Sequence, residues 1–205
     1  MGVGSDYKSK VENLVSQVNT LRTAVIPRTS AVTKLSLVLL GIIFLGVMAQ
    51  ISFPIPGSPV PVTGQTLAVL LLGTAYGASL GFTTFAFYLL MGIAGAPLFA
   101  SGSHGLAKVV GATGGYLIGM LIASLVIGAL AGRKWDQRIS TAIPTMILGN
   151  AIIFSFGLFW LHHVSGQSWS WAIAKGFTPF LLGEFLKVAI ASTALPMIWR
   201  LVPKR

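Results

Sequence analysis

The chain has 205 residues, of which 54% are hydrophobic and only 9% are charged, and it carries a net charge of +10 and no cysteine. Soluble domains contain about 25% charged residues, so this composition excludes an ordinary soluble protein and indicates an integral membrane protein. The lack of cysteine excludes disulfides and thiol chemistry.

The positive charge is concentrated in three places rather than spread along the chain. Eleven of the fourteen Lys and Arg residues lie within residues 1–34, 133–138 and 200–205. Clusters of this kind mark the cytoplasmic loops and ends of a membrane protein. We therefore expect a multi-pass protein in a lipid bilayer, with both termini in the cytoplasm and no nucleic-acid partner.

Residues 1–34 are predicted to form a basic cytoplasmic N-terminal segment, and residues 35–205 to form a six-helix membrane domain. The apolar residues of the segment recur at roughly helical spacing and are Val11, Leu14, Val15, Val18 and Leu21. They fit a short amphipathic helix on the inner leaflet, and a flexible tail or a partner-docking segment fits equally well. Pro27 is expected to break any helix that continues toward the membrane.

The first predicted span covers residues 35–51, and four prolines follow within residues 54–61. Prolines at this density forbid a helix and favour an extended or turn-rich loop. Because this loop is nevertheless apolar, we expect it to pack on or into the protein.

Residues 63–93 are long for one helix and short for two. If they cross the membrane once, the later basic clusters fall on the face opposite the N-terminus. If they cross twice, all three clusters share one face, as the positive-inside rule requires. We therefore predict two short helices that meet at residues 73–77, where Gly73, Gly77 and Gly81 are spaced for close helix contact.

Residues 92–110 are rich in glycine yet apolar, and such backbone lies at membrane depth only where it is buried in protein or lines a cavity. Further spans are predicted at residues 113–131, 140–161 and 176–201. The whole pattern predicts an all-α integral membrane protein, a six-transmembrane-helix bundle with short helices 2 and 3 and irregular outer loops.

The last span contains an acid and a base three residues apart, Glu184 and Lys187. An ionisable residue inside a membrane segment costs several kcal/mol and marks a functional site by default, although a structural ion pair is the alternative. At 1.5 Å per residue, the pair lies roughly 20–24 Å from the basic cluster that begins at Arg200, in the outer half of the membrane. The proline loop and the glycine-rich loop emerge on the same side, which predicts a covered pocket there.

Several kinds of chemistry have no matching motif. A phosphate-binding Gly-x4-Gly-Lys-Ser/Thr loop is missing, so the chain does not power itself with a nucleotide. Adjacent His162 and His163, expected in an outer loop, have no carboxylate or cysteine nearby and predict no metal site. A Gly-x-Ser-x-Gly nucleophile motif and a row of charges for a pore are also missing. We expect no cofactor and no enzyme activity.

Six stretches together resemble the BioY family, the biotin-specific substrate-binding subunits (S-components) of energy-coupling-factor (ECF) transporters. The resemblance covers about residues 35–200. The matching stretches include Pro-Val-Pro-Val-Thr-Gly-Gln at 59–65, Gly-Ala-Pro-Leu-Phe-Ala-Ser-Gly at 95–102, Thr-Gly-Gly-Tyr at 113–116 and Pro-Phe-Leu-Leu-Gly-Glu-Phe-Leu-Lys at 179–187.

The resemblance implies a plasma-membrane subunit that binds biotin from outside with high affinity. Its partners would be a coupling transmembrane subunit and two ATPase subunits. In the family, an Asp and a Lys spaced as Gly-Asp-x-x-Lys contact biotin; here the acid is Glu184, one methylene longer, and the base is Lys187. The family also often contributes a polar contact at the position of Ser101. On the first span, Gly41, Gly46 and Ala49 stand where the family presents an alanine stripe to the coupling subunit.

Our hypothesis for the site is that Lys187 attracts an oxygen of the ligand while Glu184 accepts an N–H. Gln65 and Ser101 would supply further hydrogen bonds. The candidate walls, each of which could equally be plain helix packing, are Phe53, Tyr88, Phe99 and Tyr116. The alternatives are an S-component for another small vitamin, an intramembrane enzyme with Glu184 as general base, and a purely structural subunit.

Overall fold

The structure is a computed structural model, and it describes residues 20–27 and 30–202. Its helices are α1 (Leu21–Val25), α2 (Ala31–Gln50), α3 (Gln65–Tyr76), α4 (Ala78–Ile93), α5 (Leu106–Val110), α6 (Gly114–Ala131), α7 (Ile139–Ser165), α8 (Trp169–Gly176) and α9 (Leu181–Leu201). Two-residue strands β1 (Ser52–Phe53) and β2 (Val62–Thr63) pair antiparallel, and short 3₁₀ turns cover Ala100–Gly102 and Thr178–Phe180.

Six helices, α2, α3, α4, α6, α7 and α9, form the bundle. The segments Ala31–Gln50, Gly114–Ala131, Ile139–Ser165 and Trp169–Leu201 are long and apolar enough to cross a membrane, and the two shorter apolar helices are α3 and α4. Successive bundle helices run in opposite directions, so the basic residues 133–138 and Arg200 lie at one end. We call this end the basic end. The predicted arrangement of long and short helices is confirmed.

The predicted division of residues 63–93 is also confirmed. Gly77 separates α3 from α4 with a φ of +81°, a left-handed conformation that favours glycine. A Cβ on Gly81 would lie 3.0 Å from the Cα of Gly73, so the small residues let α3 and α4 approach closely. The four-residue glycine repeat thus serves helix packing.

Two glycines on one face at the start of α6, Gly115 and Gly119, pack against α7. A Cβ on Gly119 would lie 2.8 Å from the Cα of Ile153, and one on Gly115 would overlap Trp160. Lipid tails are themselves apolar, so the hydrophobic effect does not drive helices together within a membrane. Such glycines instead allow close backbone packing, which stabilises the helix pair. This close pair forms one wall of the bundle.

Three predicted helix boundaries were wrong. The first helix begins at Ala31 rather than residue 35, because Ser30 caps it by accepting a hydrogen bond from the Thr33 N–H. α7 runs on to Ser165 and includes His162 and His163, which were expected in a loop. The last span is not continuous from residue 176, since the 3₁₀ turn at Thr178–Phe180 separates α8 from α9.

The N-terminal segment is described only from Thr20. Pro27 lies between α1 and α2, where the predicted helix break occurs. Thr20 is buried, and a Cβ on Gly77 would lie 2.8 Å from its side chain, so the end of this segment packs on the α3–α4 junction. The apolar residues Val11, Leu14, Val15 and Val18 lie outside the described residues.

The short α3 creates room for a site. Its twelve residues rise about 18 Å, whereas the apolar core of a bilayer is about 30 Å thick. Because α3 ends beside Thr20 at the basic end, it begins at Gln65 well below the opposite surface. The proline loop between β1 and β2 covers the space above it, held by a bond from Ser58 Oγ to the Lys175 carbonyl oxygen at 2.7 Å.

At the basic end, Asp136 is fully buried in the loop between α6 and α7. Trp199 Nε1, near the end of α9, donates a 2.6 Å hydrogen bond to its Oδ2. Burial raises the pKa of Asp136 from 3.8 to about 6, and the Trp199 bond opposes that rise. The folded chain therefore holds this proton more tightly than the unfolded chain does.

Thermal stability is expected to fall as the pH rises from about 4 to about 7. The pKa of Asp136 is higher in the folded state, so its contribution is present below about pH 4 and is lost as the pH passes about 6. The difference between 3.8 and 6 is worth about 3 kcal/mol. The Tm of the purified protein should drop over this interval, and Asp136→Asn should remove most of the drop. An equal drop in both proteins would contradict the assignment.

Candidate functional site

A cavity of about 230 Å³ lies at the end of the bundle opposite the basic end. It is enclosed by the starts of α3, α6 and α9, the later half of α7, the proline loop and the glycine-rich loop. Its lining residues are Pro59, Val60, Pro61, Thr63, Gln65, Thr66, Phe99, Ala100, Ser101, Ser103, Lys108, Thr113, Tyr116, Leu117, Met120, Phe154, Phe180 and Glu184. The predicted convergence of two loops on the Glu184 segment is confirmed.

Glu184 supplies the charged group of the buried wall. It lies in the first turn of α9 and is only 7% exposed. Its Oε1 accepts hydrogen bonds from Thr66 Oγ1 at 2.9 Å and from Lys187 Nζ at 2.6 Å. Its Oε2 is buried and has no partner among the described residues. A buried carboxylate oxygen without a donor is costly, so an N–H or O–H that reached this atom from the adjoining cavity would stabilise it.

Lys187 lies behind Glu184 rather than on the cavity wall. Its ammonium donates to the Thr63 carbonyl oxygen at 2.7 Å, to Thr66 Oγ1 at 2.9 Å and to Glu184 Oε1 at 2.6 Å. An ammonium has three protons, and these three acceptors use all of them. The expectation that Lys187 meets the ligand directly does not fit this geometry, in which it neutralises and orients Glu184.

Gln65, the first residue of α3, lines the cavity as predicted. Its Nε2 donates to the Tyr88 hydroxyl at 2.7 Å, and its Oε1 accepts from Thr63 Oγ1 at 3.3 Å. Tyr88 donates in turn to the Leu98 carbonyl oxygen at 2.8 Å. Tyr88 is 0% exposed and is not part of the cavity wall, contrary to expectation. It holds Gln65 and the glycine-rich loop from behind.

Four aromatic side chains contribute to the remaining wall: Phe99, Tyr116, Phe154 and Phe180. Tyr116 stacks on Phe180 with centroids 6.5 Å apart and meets Phe154 edge to face at 5.8 Å. The Tyr116 hydroxyl donates to the Gly176 carbonyl oxygen at 2.8 Å, which fixes the ring. Phe99 lines the cavity from the glycine-rich loop. These rings give the cavity flat apolar faces, which we call the aromatic slot and which suit a compact ring system.

Phe53 is the other predicted wall residue that lies elsewhere. It belongs to β1 and is 64% exposed, outside the cavity. Successive side chains of a strand point to opposite faces, and in this hairpin Phe53 is directed away from the bundle. Ser101 lines the cavity as predicted, and its Oγ lies 3.4 Å from Ser52 Oγ, so the two loops meet above the site.

The sequence interpretation missed several lining residues, including Thr66, Lys108, Phe154 and Phe180. For Lys108 a signal existed, since it is one of only three Lys or Arg residues outside the basic clusters. It is exposed at the rim and is the cation among the lining residues. The aromatic residues gave no such signal, because apolar side chains that face lipid look the same in the sequence.

The cavity therefore combines a buried acceptor, aromatic walls and a cation at its rim. Among the described residues, no group of three His, Cys, Asp or Glu side chains is placed to hold a metal ion. Such a site suits one small molecule with donor groups at one end and negative charge at the other.

A helical membrane bundle that encloses such a cavity defines a membrane-embedded binding protein for a small molecule. The family model described as the BioY family matches residues 18–204, nearly the whole chain. The chain belongs to the BioY family, and the resemblance drawn from its motifs is confirmed.

Curated relatives agree with this assignment. The chain is 36% identical over 161 residues to the biotin transporter BioY2 of Lactococcus lactis subsp. cremoris. The aligned region covers 77% of this chain and 85% of that protein. The chain is 35% identical over 158 residues to the probable biotin transporter BioY of Pyrococcus horikoshii. This aligned region covers 77% of this chain and 91% of that protein. These relatives are named as transporters, in agreement with the expectation that the chain is not an enzyme.

A solved structure shares the fold. The crystal structure of the S-component for biotin from an ECF-type ABC transporter superposes with a TM-score of 0.76, covering 84% of this chain and 95% of that one at 20% identity. This likeness confirms the predicted all-α membrane architecture.

Proposed function

We propose that this protein binds biotin at the outer face of the plasma membrane and acts as the substrate-binding subunit in biotin uptake. The observation that carries the proposal is the unpartnered, buried Oε2 of Glu184, a residue that lines a cavity with aromatic walls. Biotin has a ureido ring with two N–H donors, an apolar bicycle with a valeryl chain, and a carboxylate. These three parts correspond to the carboxylate, the aromatic slot and the rim cation of the cavity.

The proposed orientation follows from these charges. A ureido N–H donates to Glu184 Oε2, the bicycle lies against Tyr116 and Phe180, and the carboxylate lies near Lys108. Gln65 and Ser101 offer further polar contacts. The relatives named as biotin transporters support this choice of ligand over another small vitamin. The aromatic slot favours a binding function over a purely structural one.

Transport in this proposal depends on partners. The chain has no nucleotide-binding loop, so its energy comes from partner ATPase subunits through a coupling membrane subunit. The matched structure, described as an S-component from an ECF-type ABC transporter, supports this arrangement. The basic end then faces the cytoplasm, with residues 1–34 as a cytoplasmic segment and residues 35–205 as the substrate-binding domain.

The proposal is tested by binding of radiolabelled biotin to detergent-purified protein, with a panel of unlabelled vitamins as competitors. We expect saturable binding that only biotin and close analogues displace. Displacement by a chemically different vitamin, with no effect of biotin, would show that this other vitamin is the ligand. A lack of binding by every candidate would contradict the binding function itself.

Lys108 is expected to select ligands with a free carboxylate. Lys108→Gln removes the rim charge, and because a rim ion pair is partly screened by solvent, we expect an affinity loss of about fivefold for biotin. Biotinamide, which has no negative charge, should bind both proteins equally. Arg133→Gln at the basic end is the matched control and should change neither affinity. Equal losses for biotin and biotinamide would show that Lys108 does not read the carboxylate.

A further inference from the structure

Gln50, the last residue of α2, holds the glycine-rich loop in place without lining the cavity. Its side-chain Nε2 donates to the Phe99 carbonyl oxygen at 3.2 Å and to the Gly46 carbonyl oxygen at 3.0 Å. Its Oε1 accepts from the Gly102 N–H at 2.8 Å. One amide thus clamps both sides of the turn from Phe99 to Gly102.

The loop needs such a clamp because packing fixes only the buried Phe99 end of the turn, whose ring lies 5.7 Å from that of Tyr88. Gly95, Gly102 and Gly105 have φ values of +112°, +67° and +87°, and a Cβ on any of them would meet nothing within 4 Å. Ser101 adopts a φ of +57°, which is uncommon for a residue other than glycine and costs about 1 kcal/mol or more. Residues 100–102 are half-buried or exposed and include this strained residue, so they keep one shape only where polar contacts hold them.

Few hydrogen bonds reach this turn from other elements within the described chain. Gln50 makes its two bonds, Ser101 Oγ lies 3.4 Å from Ser52 Oγ, and Tyr88 donates to the carbonyl oxygen of Leu98, just before the turn. The bonds of Gln50 are the ones that join the turn to α2. The turn itself brings four residues to the cavity, which are Phe99, Ala100, Ser101 and Ser103.

We propose that Gln50 is a positioning residue that keeps the Phe99–Gly102 turn closed over the cavity, so that release of its two bonds opens the route by which the ligand leaves. Gln50 is exposed and does not line the cavity, so it acts through the turn rather than on the ligand. The identity of the ligand in this inference rests on the proposed function, whereas the role of Gln50 in holding the turn does not.

The test compares Gln50→Leu, which keeps the size and loses both bonds, with Gln50→Glu, which keeps an acceptor for the Gly102 N–H. Gln167→Leu is the matched control, because Gln167 is an exposed residue in the loop between α7 and α8 whose side-chain amide makes no hydrogen bond among the described residues. Two measurements are made: hydrogen exchange of peptides containing Gly102 in the ligand-free protein, and the dissociation rate of labelled biotin.

Gln50→Leu should speed both exchange and biotin dissociation about tenfold, with the Tm of the ligand-free protein unchanged. Gln50→Glu keeps the acceptor for the Gly102 N–H and loses the donor to the Phe99 carbonyl oxygen, so its exchange should lie between those of Gln50→Leu and the wild type. Gln167→Leu should match the wild type. Unchanged exchange in Gln50→Leu would overturn the proposal. If the wild type binds no biotin, the proposed function fails while the exchange measurement still decides the role of Gln50.

Discussion

Glu184→Gln should weaken biotin binding by roughly tenfold to 100-fold while the protein remains folded. A hydrogen bond to a charged acceptor contributes about 1.5–3 kcal/mol, and each 1.4 kcal/mol is a factor of ten in affinity. The substitution keeps the size of the side chain and replaces the buried carboxylate with a neutral amide. The amide can also turn its NH₂ toward the ligand, where it faces another donor. Affinity is measured by equilibrium binding of labelled biotin.

Glu184→Asp is the control for charge at this position. It restores the Gly-Asp-x-x-Lys pattern of the family and keeps the carboxylate, one methylene further from the cavity. We expect it to lose no more than about tenfold in affinity, the scale of one charge-assisted hydrogen bond at a poorer distance. Near-normal affinity of Glu184→Gln, with Tm unchanged, would remove this carboxylate from the site.

The importance of Glu184 could be predicted because a carboxylate in a membrane segment carries a large free-energy cost and is therefore usually functional. The division of residues 63–93 could be predicted because charge clusters restrict the topology. Both predictions use charge, which is rare in this sequence and therefore informative. The structure adds the distant partners of the acid and its base: Thr66 donates to Glu184 from 118 residues away, and Lys187 donates to Thr63 and Thr66 from 124 and 121 residues away.

Half of the aromatic wall was predicted, since Phe99 and Tyr116 line the cavity as expected, and the other half, Phe154 and Phe180, was missed for a physical reason. On α7, Phe154 lines the cavity, whereas Phe156 and Phe159 are 42% and 66% exposed on the outside of the bundle. In water, such a difference would leave an amphipathic pattern, since only the inward face would be apolar. In a bilayer both faces of the helix are apolar, so the pattern disappears. Phe53 was mistaken for a wall residue on the same grounds.

The role of Lys187 could not be read from its spacing. An acid and a base at i and i+3 share a helix face, which fits both a pair that grips the ligand and a base that supports the acid. Which of these two roles Lys187 has depends on which atoms accept hydrogen bonds from its three ammonium protons. The Thr63 carbonyl oxygen is free to accept because β2 ends there and α3 begins only at Gln65. Thus the loop that closes the cavity also supplies an acceptor that ties Lys187 to the wall.

Lys187→Met should destabilise the ligand-free protein by about 3–5 kcal/mol, because it leaves the buried Glu184 carboxylate without its cation. Methionine keeps an unbranched side chain, so loss of packing adds little. Lys175→Met is the matched control: Lys175 is half-buried on the same side of the bundle, and its ammonium makes no hydrogen bond among the described residues. The Tm of the purified, ligand-free protein should fall sharply for the first variant and little for the second.

The double variant Lys187→Met with Glu184→Gln separates support of Glu184 from direct contact with the ligand. Removing both charges leaves no uncompensated ion, so the double variant should be more stable than Lys187→Met alone, with a coupling energy of about 1–3 kcal/mol between the two sites. If Lys187→Met instead keeps the wild-type Tm and loses only biotin affinity, the ammonium contacts the ligand. Its three protein bonds would then have to exchange on binding. Lys187 supports Glu184 only if stability falls in the single variant Lys187→Met and recovers in the double variant, where the acid is also neutralised.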